Sequence, residues 1–141
     1  MYQKETIGLQ EAQDAITAIL SEQAKDPQTR PVSVAVVDEN GDLVAFVRMD
    51  TGRSMTGDIA IKKAYTSVRT RSNSGVFAER MKQQGRSVAE MGDPKMIGVQ
   101  GGVCVMKPRT QVCVGAIGVS GLASEEDEAL AEKGIQALKL K

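Results

Sequence analysis

Gly101-Gly102-Val103-Cys104-Val105-Met106, then Val112-Cys113-Val114-Gly115-Ala116-Ile117-Gly118-Val119-Ser120-Gly121, then Ser124-Glu125-Glu126-Asp127-Glu128, carry the strongest structural signal in the chain. They read as a strand, a tight turn at Pro108-Arg109, a second strand, a glycine-rich exit and a helix start. Glycine offers a strand no side chain to pack, so glycines in or beside strands point to close approach by another element or a ligand. The helix start is strongly marked. Ser124 can accept from the first free amides, Asp127 can reach back, and the four acids suit the positive helix end. A strand that feeds a glycine turn and then a helix start is a favourable place for a small-molecule pocket.

Upstream, Leu9, Ala12, Ile16, Ile19 and Leu20 recur at helical spacing and predict a helix from Gly8 to Gln23. Val32 to Val37 is a nearly continuous apolar run, which suits a central strand. Asp38 to Asp42 predicts a hairpin turn with Asn40-Gly41 in the positive-φ positions, and Leu43 to Met49 returns as a second strand. A helix beginning at Thr56 or Gly57 carries a small-residue face of Ala60, Ala64, Ser67 and Val68. Val76 to Gln84 predicts another helix, stopped by Gly85. One short helical turn is expected at Val88–Met91, a strand at Met96–Val99 and a terminal helix from Ser124 to Leu138. Two hairpins without regular strand–helix alternation predict an α+β fold with an antiparallel sheet. A chain of 141 residues favours one domain, spanning 1–141.

Composition removes several function classes. Charged residues form 26% of the chain and balance to zero, and aromatic residues form 3%, so neither a basic face nor stacking platforms point to nucleic acid. No apolar run reaches membrane-spanning length, and Met1 to Glu5 lacks a signal-peptide core, so a cytoplasmic protein without membrane partners is expected. The chain has no histidine, which removes the Ser-His-Asp triad, most zinc sites and the commonest general base. No metal site is expected at Glu125–Glu128, because four acids on one helical turn point in different directions. Cys104 and Cys113 fall on adjacent predicted strands and read as small buried apolar residues before they read as a redox pair.

Several blocks together resemble one family. They are Val36-Val37-Asp38-Glu39-Asn40-Gly41-Asp42-Leu43-Val44-Ala45-Phe46 with Arg48-Met49-Asp50, Lys63-Ala64, Gly101-Gly102-Val103, and Gly115 to Gly121 followed by Glu125-Glu126-Asp127. The family is the GlcG/HbpS-like haem-binding group. It includes the glycolate-operon protein, an extracellular haem-binding sensor protein of streptomycetes and the C-terminal domain of PduO-type cobalamin adenosyltransferases. The resemblance covers nearly the whole chain. It implies a profilin-like fold, a five-stranded antiparallel sheet between helical layers, and a homo-oligomer, tetramer or octamer. It also implies a small-molecule ligand, since some members bind haem or corrinoid and several sit in operons for small-acid or aromatic catabolism. Two departures stand out. Cys104 occupies the place where the family usually has proline after Gly-Gly-Val, and no histidine is available for a haem iron, so cysteine, methionine or tyrosine would have to replace it.

The candidate site residues are Arg48, Asp50, Lys63, Gly101, Gly102 and Glu126. Arg48 and Asp50 share a face of an extended chain; they read either as an arginine aimed at a carboxylate and oriented by an aspartate, or as a local ion pair. Lys63 reads as an anion clamp, a desolvated base or a Schiff-base amine on a sheet-facing helix, with a solvated lysine as the plain alternative. Gly101-Gly102 lacks the lysine and hydroxyl of a phosphate loop and reads as a tight turn or a place where backbone faces a ligand. The pocket is expected between the sheet, the Lys63 helix and the Gly101-Gly102 turn. The expected function is binding of an anionic ring compound, with haem or another tetrapyrrole as one form of it. The alternative is an enzyme of small-acid or aromatic catabolism using Lys63, Arg48, Asp50 or Glu126 in acid–base work.

Overall fold

The computed structural model describes residues 1–141. The elements run α1 (Leu9–Gln23), β1 (Ser33–Asp38), β2 (Leu43–Arg48), α2 (Ser54–Thr70), α3 (Ser74–Gln83), a short 3-10 turn (Val88–Met91), β3 (Gly102–Met106), β4 (Cys113–Ser120) and α4 (Ser124–Gln136). The strands form one antiparallel sheet in the order β2-β1-β4-β3. Val34 pairs with Val47 on one side and Val119 on the other, and Cys104 pairs with Ala116. The α+β class expected from the two hairpins is what the chain adopts.

The sheet has four strands, not five. Met96–Val99, expected as a strand, is irregular. Its backbone groups are satisfied by side chains instead: the Ile97 amide donates to Thr66 Oγ1 at 2.8 Å, and the Val99 carbonyl accepts from Ser74 Oγ at 2.7 Å. Polar side chains on α2 and α3 thus replace a neighbouring strand as hydrogen-bond partners.

Alternation along the central strands sends side chains to two different layers. On one face, Val34, Val36, Val103, Ile117 and Val119 join Ile16, Ile19 and Leu130 from α1 and α4 in the larger core. On the other, Ala35, Val37 and Ala116 meet Ala60, Ala64 and Val68 of α2. α2 lies across β1, β4 and β3, while α1 packs on α4. A fully buried Val, Leu or Ile side chain contributes about 1.5–3 kcal/mol, so the larger core carries most of the hydrophobic stabilisation.

The β1–β2 turn is built differently from the expectation. Gly41 alone takes a positive φ, 92°, and Asn40 does not. The Asp38 carboxylate supplies the remaining order by accepting from the Asn40 and Asp42 amides, each at 3.0 Å. The register shifts opposite the Val36–Val37 step, where β2 carries Val44 as an extra, bulged residue.

Candidate functional site

Lys63 is the largest side chain buried without meaningful exposure, at 2%. It sits on the sheet-facing side of α2. Its Nζ donates to the Val119 carbonyl at 2.9 Å and to Asp127 Oδ2 at 3.0 Å. Asp127, also buried, takes the Leu122 amide on its other oxygen at 2.9 Å. Burial pushes the Asp127 carboxyl above its usual value, while the Leu122 amide and the Lys63 charge oppose that shift. The pair ties α2 to the end of β4 and to the first turn of α4.

The two glycines belong to this cluster by what they leave out. A methyl group on Gly101 would stand 2.6 Å from Lys63 Nζ, and one on Gly102 would overlap the Lys63 carbonyl and stand 2.6 Å from Ser67 Oγ. Gly101 has a φ of 133°, a conformation that also favours glycine. The space expected as a pocket between the sheet, α2 and the Gly101-Gly102 turn is therefore filled by α2 itself.

The other candidates lie apart. Arg48 ends the edge strand opposite Ser33, is exposed and forms no ion pair with the exposed Asp50. The acidic run of α4 divides as its helical spacing requires. Exposed Glu126 accepts from the Ala123 amide at 3.3 Å, Asp127 turns inward to Lys63, and Glu128 accepts from Gln100 Nε2 at 2.8 Å. Ser124, expected to cap the helix, makes no side-chain cap bond, and Ala123 is the residue at the cap position.

That last contact closes one side of an open groove of about 800 Å³ between α3 and the Gly98–Gln100 segment. Val76 and Ala78 supply apolar surface, Arg80 and Lys82 supply cations, and Glu79, Gln83 and Glu128 supply further polar lining. Neither Arg80 nor Lys82 has a carboxylate within ion-pair distance. Asn73 and Ser74 fix the groove against the sheet: Asn73 Oδ1 accepts from the Cys104 amide at 3.1 Å, and Ser74 Oγ accepts from the Gly102 amide at 2.8 Å. The Asn73-Ser74 junction at the start of α3 is thus a brace for β3. Sequence reasoning passed over the groove because its cations look like dispersed surface charge until α3 is folded against Gln100.

A second cleft, of about 390 Å³, lies under the N-terminal segment and is lined by Tyr2, Lys4, Glu5, Glu39, Val68, Arg71, Val112 and Cys113, among others. Cys104, behind Cys113, is buried, and its thiol donates to the Ser67 carbonyl at 3.0 Å. The neighbouring Cys113 thiol, then burial, pushes Cys104 far above its usual value. Cys113 Sγ donates to the Gly115 carbonyl at 3.3 Å; the neighbouring Cys104 thiol lowers its value to about 7, against burial and with smaller help from the Gly115 backbone and the Arg71 charge.

Residues 7–136 match the sequence profile of the family described as haem-degrading protein, HbpS-like. The chain belongs to the HbpS-like family. It is similar to an uncharacterised 15.0 kDa protein of the dhaT–dhaS intergenic region of Citrobacter freundii, 32% identical over 107 residues and 74% of each chain. Its fold superposes on a double mutant of HbpS from Streptomyces reticuli with a TM-score of 0.86 and 30% identity, covering 99% of this chain and 91% of that one. It also superposes on the PduOC:haem complex with a TM-score of 0.80, covering 96% and 97%; at 22% identity this likeness speaks to the fold alone.

The linings of these two clefts of the HbpS-like chain do not suit haem. The groove lining offers no imidazole, thiolate, thioether or phenolate for iron. The smaller cleft offers Cys113 and Tyr2, but it has about half the groove's volume and four charged side chains where a macrocycle needs flat apolar walls.

Proposed function

We propose that the protein binds a small anionic ring compound in the groove between α3 and Gln100. The single observation that carries this reading is the pair of unpaired cations, Arg80 and Lys82, on a groove that also presents Val76 and Ala78. A carboxylate would take charge-assisted hydrogen bonds from the cations, and a ring would cover the apolar wall. Glu79 and Glu128 sit on the same lining, so a singly charged ligand suits the groove better than a highly charged one. Haem is not the proposed ligand, because the groove supplies none of the imidazole, thiolate, thioether or phenolate groups that hold a haem iron. Arg48 and Lys63, expected as the anion clamp, do not meet: Lys63 is committed to Asp127.

Calorimetric titration with benzoate and its hydroxylated relatives tests this. Arg80→Gln or Lys82→Gln is expected to weaken binding by roughly tenfold, because one charge-assisted hydrogen bond contributes about 1.5–3 kcal/mol. Equal affinity in parent and both variants would place the ligand elsewhere. A haem titration is expected to give no imidazole-type band.

Two further features complete the proposal. The chain acts as a homo-oligomer, a reading supported by the unpaired edge of β2, where Leu43 is 50% and Phe46 38% exposed, with Met55 nearby at the start of α2 at 55%. Light scattering showing only a 15.0 kDa species would contradict it. No helix is long and apolar enough to cross a membrane, and the proposed setting is the cytoplasm.

A further inference from the structure

We propose that Glu128, oriented by Gln100, makes the α3 groove selective for a ring monocarboxylate that also carries a hydroxyl, the hydroxyl donating to the Glu128 carboxylate. This selectivity rests on the reading of that groove as the anion site, and it names the chemical class the groove prefers.

Glu128 and Gln100 reach the groove from two different parts of the fold. Asp127 is buried against Lys63, with its other oxygen on the Leu122 amide, and this fixes how α4 is turned about its axis. Successive helical residues are about 100° apart, so Glu128 leaves α4 in another direction and lines the groove, half-buried. Gln100 lies just before β3. Its stem crosses the start of α3 so closely that a methyl on Gly75 would stand 2.9 Å from Gln100 Cγ. The stem is thereby placed, and Gln100 Nε2 donates to Glu128 Oε2 at 2.8 Å. An ionised carboxylate only accepts, so it is the amide nitrogen of Gln100 that faces it.

That contact occupies one oxygen of Glu128. The other oxygen, Oε1, and the Gln100 carbonyl have no protein donor. The groove is therefore polarised. α3 brings the free cations Arg80 and Lys82, and the Gln100–Glu128 wall brings free acceptors. The remaining carboxylate of the lining, Glu79, is exposed on α3 and takes Gln83 Nε2 at 3.3 Å. A ligand carboxylate meets the cations, and the ring covers Val76 and Ala78. At the acceptor wall a bare ring edge gives Glu128 nothing, a hydroxyl gives it a charge-assisted hydrogen bond, and a second carboxylate meets like charge. A site that hydrogen-bonds a hydroxyl rejects the analogue lacking it, because its own polar group is then left without that partner. Water reaches a half-buried carboxylate, so the preference here is smaller than in a closed site.

Calorimetric titration of the full chain with benzoate, 3- and 4-hydroxybenzoate, their methoxy counterparts and terephthalate reads the preference directly. The tighter hydroxybenzoate is expected to bind roughly tenfold more strongly than benzoate. Its methoxy counterpart, which cannot donate, should bind no better than benzoate, and terephthalate should bind more weakly. Glu128→Ala should bring hydroxybenzoate and benzoate to the same affinity and relieve the penalty on terephthalate. Gln100→Ala should shrink the hydroxyl preference several-fold, since Glu128 is then free to turn away. Arg80→Gln should weaken all the acids alike and keep the preference. Circular dichroism of each variant separates these effects from unfolding, and the hydroxy-to-methoxy ratio in the parent needs no variant at all. A preference absent in the parent, or one that survives Glu128→Ala, would overturn the selectivity; if benzoate still binds and is still weakened by Arg80→Gln, the groove itself stands. Binding of none of these acids would overturn the groove reading and the selectivity with it.

Discussion

Beneath α1 and α4, strands β1 and β4 present Val34, Val36, Ile117 and Val119; beneath α2 the same two strands present Ala35, Val37, Ala116 and Gly118. The first face is defined by atoms that are present and the second by atoms that are missing. A methyl on Gly118 would overlap the Ala60 carbonyl and stand 2.7 Å from the Ala64 amide. The α2 backbone therefore rests directly on the β4 backbone. Such contact leaves no side chain free to adjust, because the obstructing atoms belong to a helix main chain. The larger face is made of aliphatic side chains that can relax. The same closeness explains Lys63: with α2 pressed onto β3 and β4, its long stem is buried and its ammonium must find partners inside, which Val119 and Asp127 supply.

The contrast orders the expected effects of substitution. Gly118→Val should be the most damaging, because overpacking that costs about 1–3 kcal/mol in an adjustable core has no outlet against backbone. Loss of the cooperative thermal transition is expected; a folded variant with a near-parental midpoint would show that α2 can lift away. Lys63→Met should follow, at about 3–5 kcal/mol by denaturant titration, since it strands the Asp127 carboxylate in a buried site. The double variant Lys63→Met with Asp127→Leu should recover a large part of that loss, and failure to recover would mean the pair does more than neutralise itself. Ile117→Val, on the larger face, should cost only about 0.5–1.5 kcal/mol, because its neighbours can close over one missing methylene.

Much of this architecture was legible in the sequence. The apolar run at Val32–Val37, the helical spacing from Leu9 to Leu20 and the two hairpins each carry their own local signal, and the elements formed close to where those signals placed them. Glycines in β4 correctly announced close approach. What they could not announce was the approaching partner, since a helix backbone and a ligand both require a missing Cβ. The strand expected at Met96–Val99 failed because its composition is apolar enough for a strand, while the deciding partners, Thr66 and Ser74, lie far away in sequence. Asp127 was visible only as one acid of a helix start; its inward turn to Lys63 depends on where α4 lands. Arg80 and Lys82 carry no pattern of their own, and their groove exists only once Asn73 and Ser74 have pinned α3 to β3.

The most direct test of the account is to map ligand contacts by amide chemical shifts in the isotopically labelled full chain during titration with benzoate. The account predicts saturable shifts concentrated at Val76 to Gln83, Gly98 and Gln100, unchanged in Arg48→Met and weakened in Arg80→Gln. Shifts concentrated instead around Arg48 and Asp50, with Arg80→Gln behaving like the parent, would contradict it.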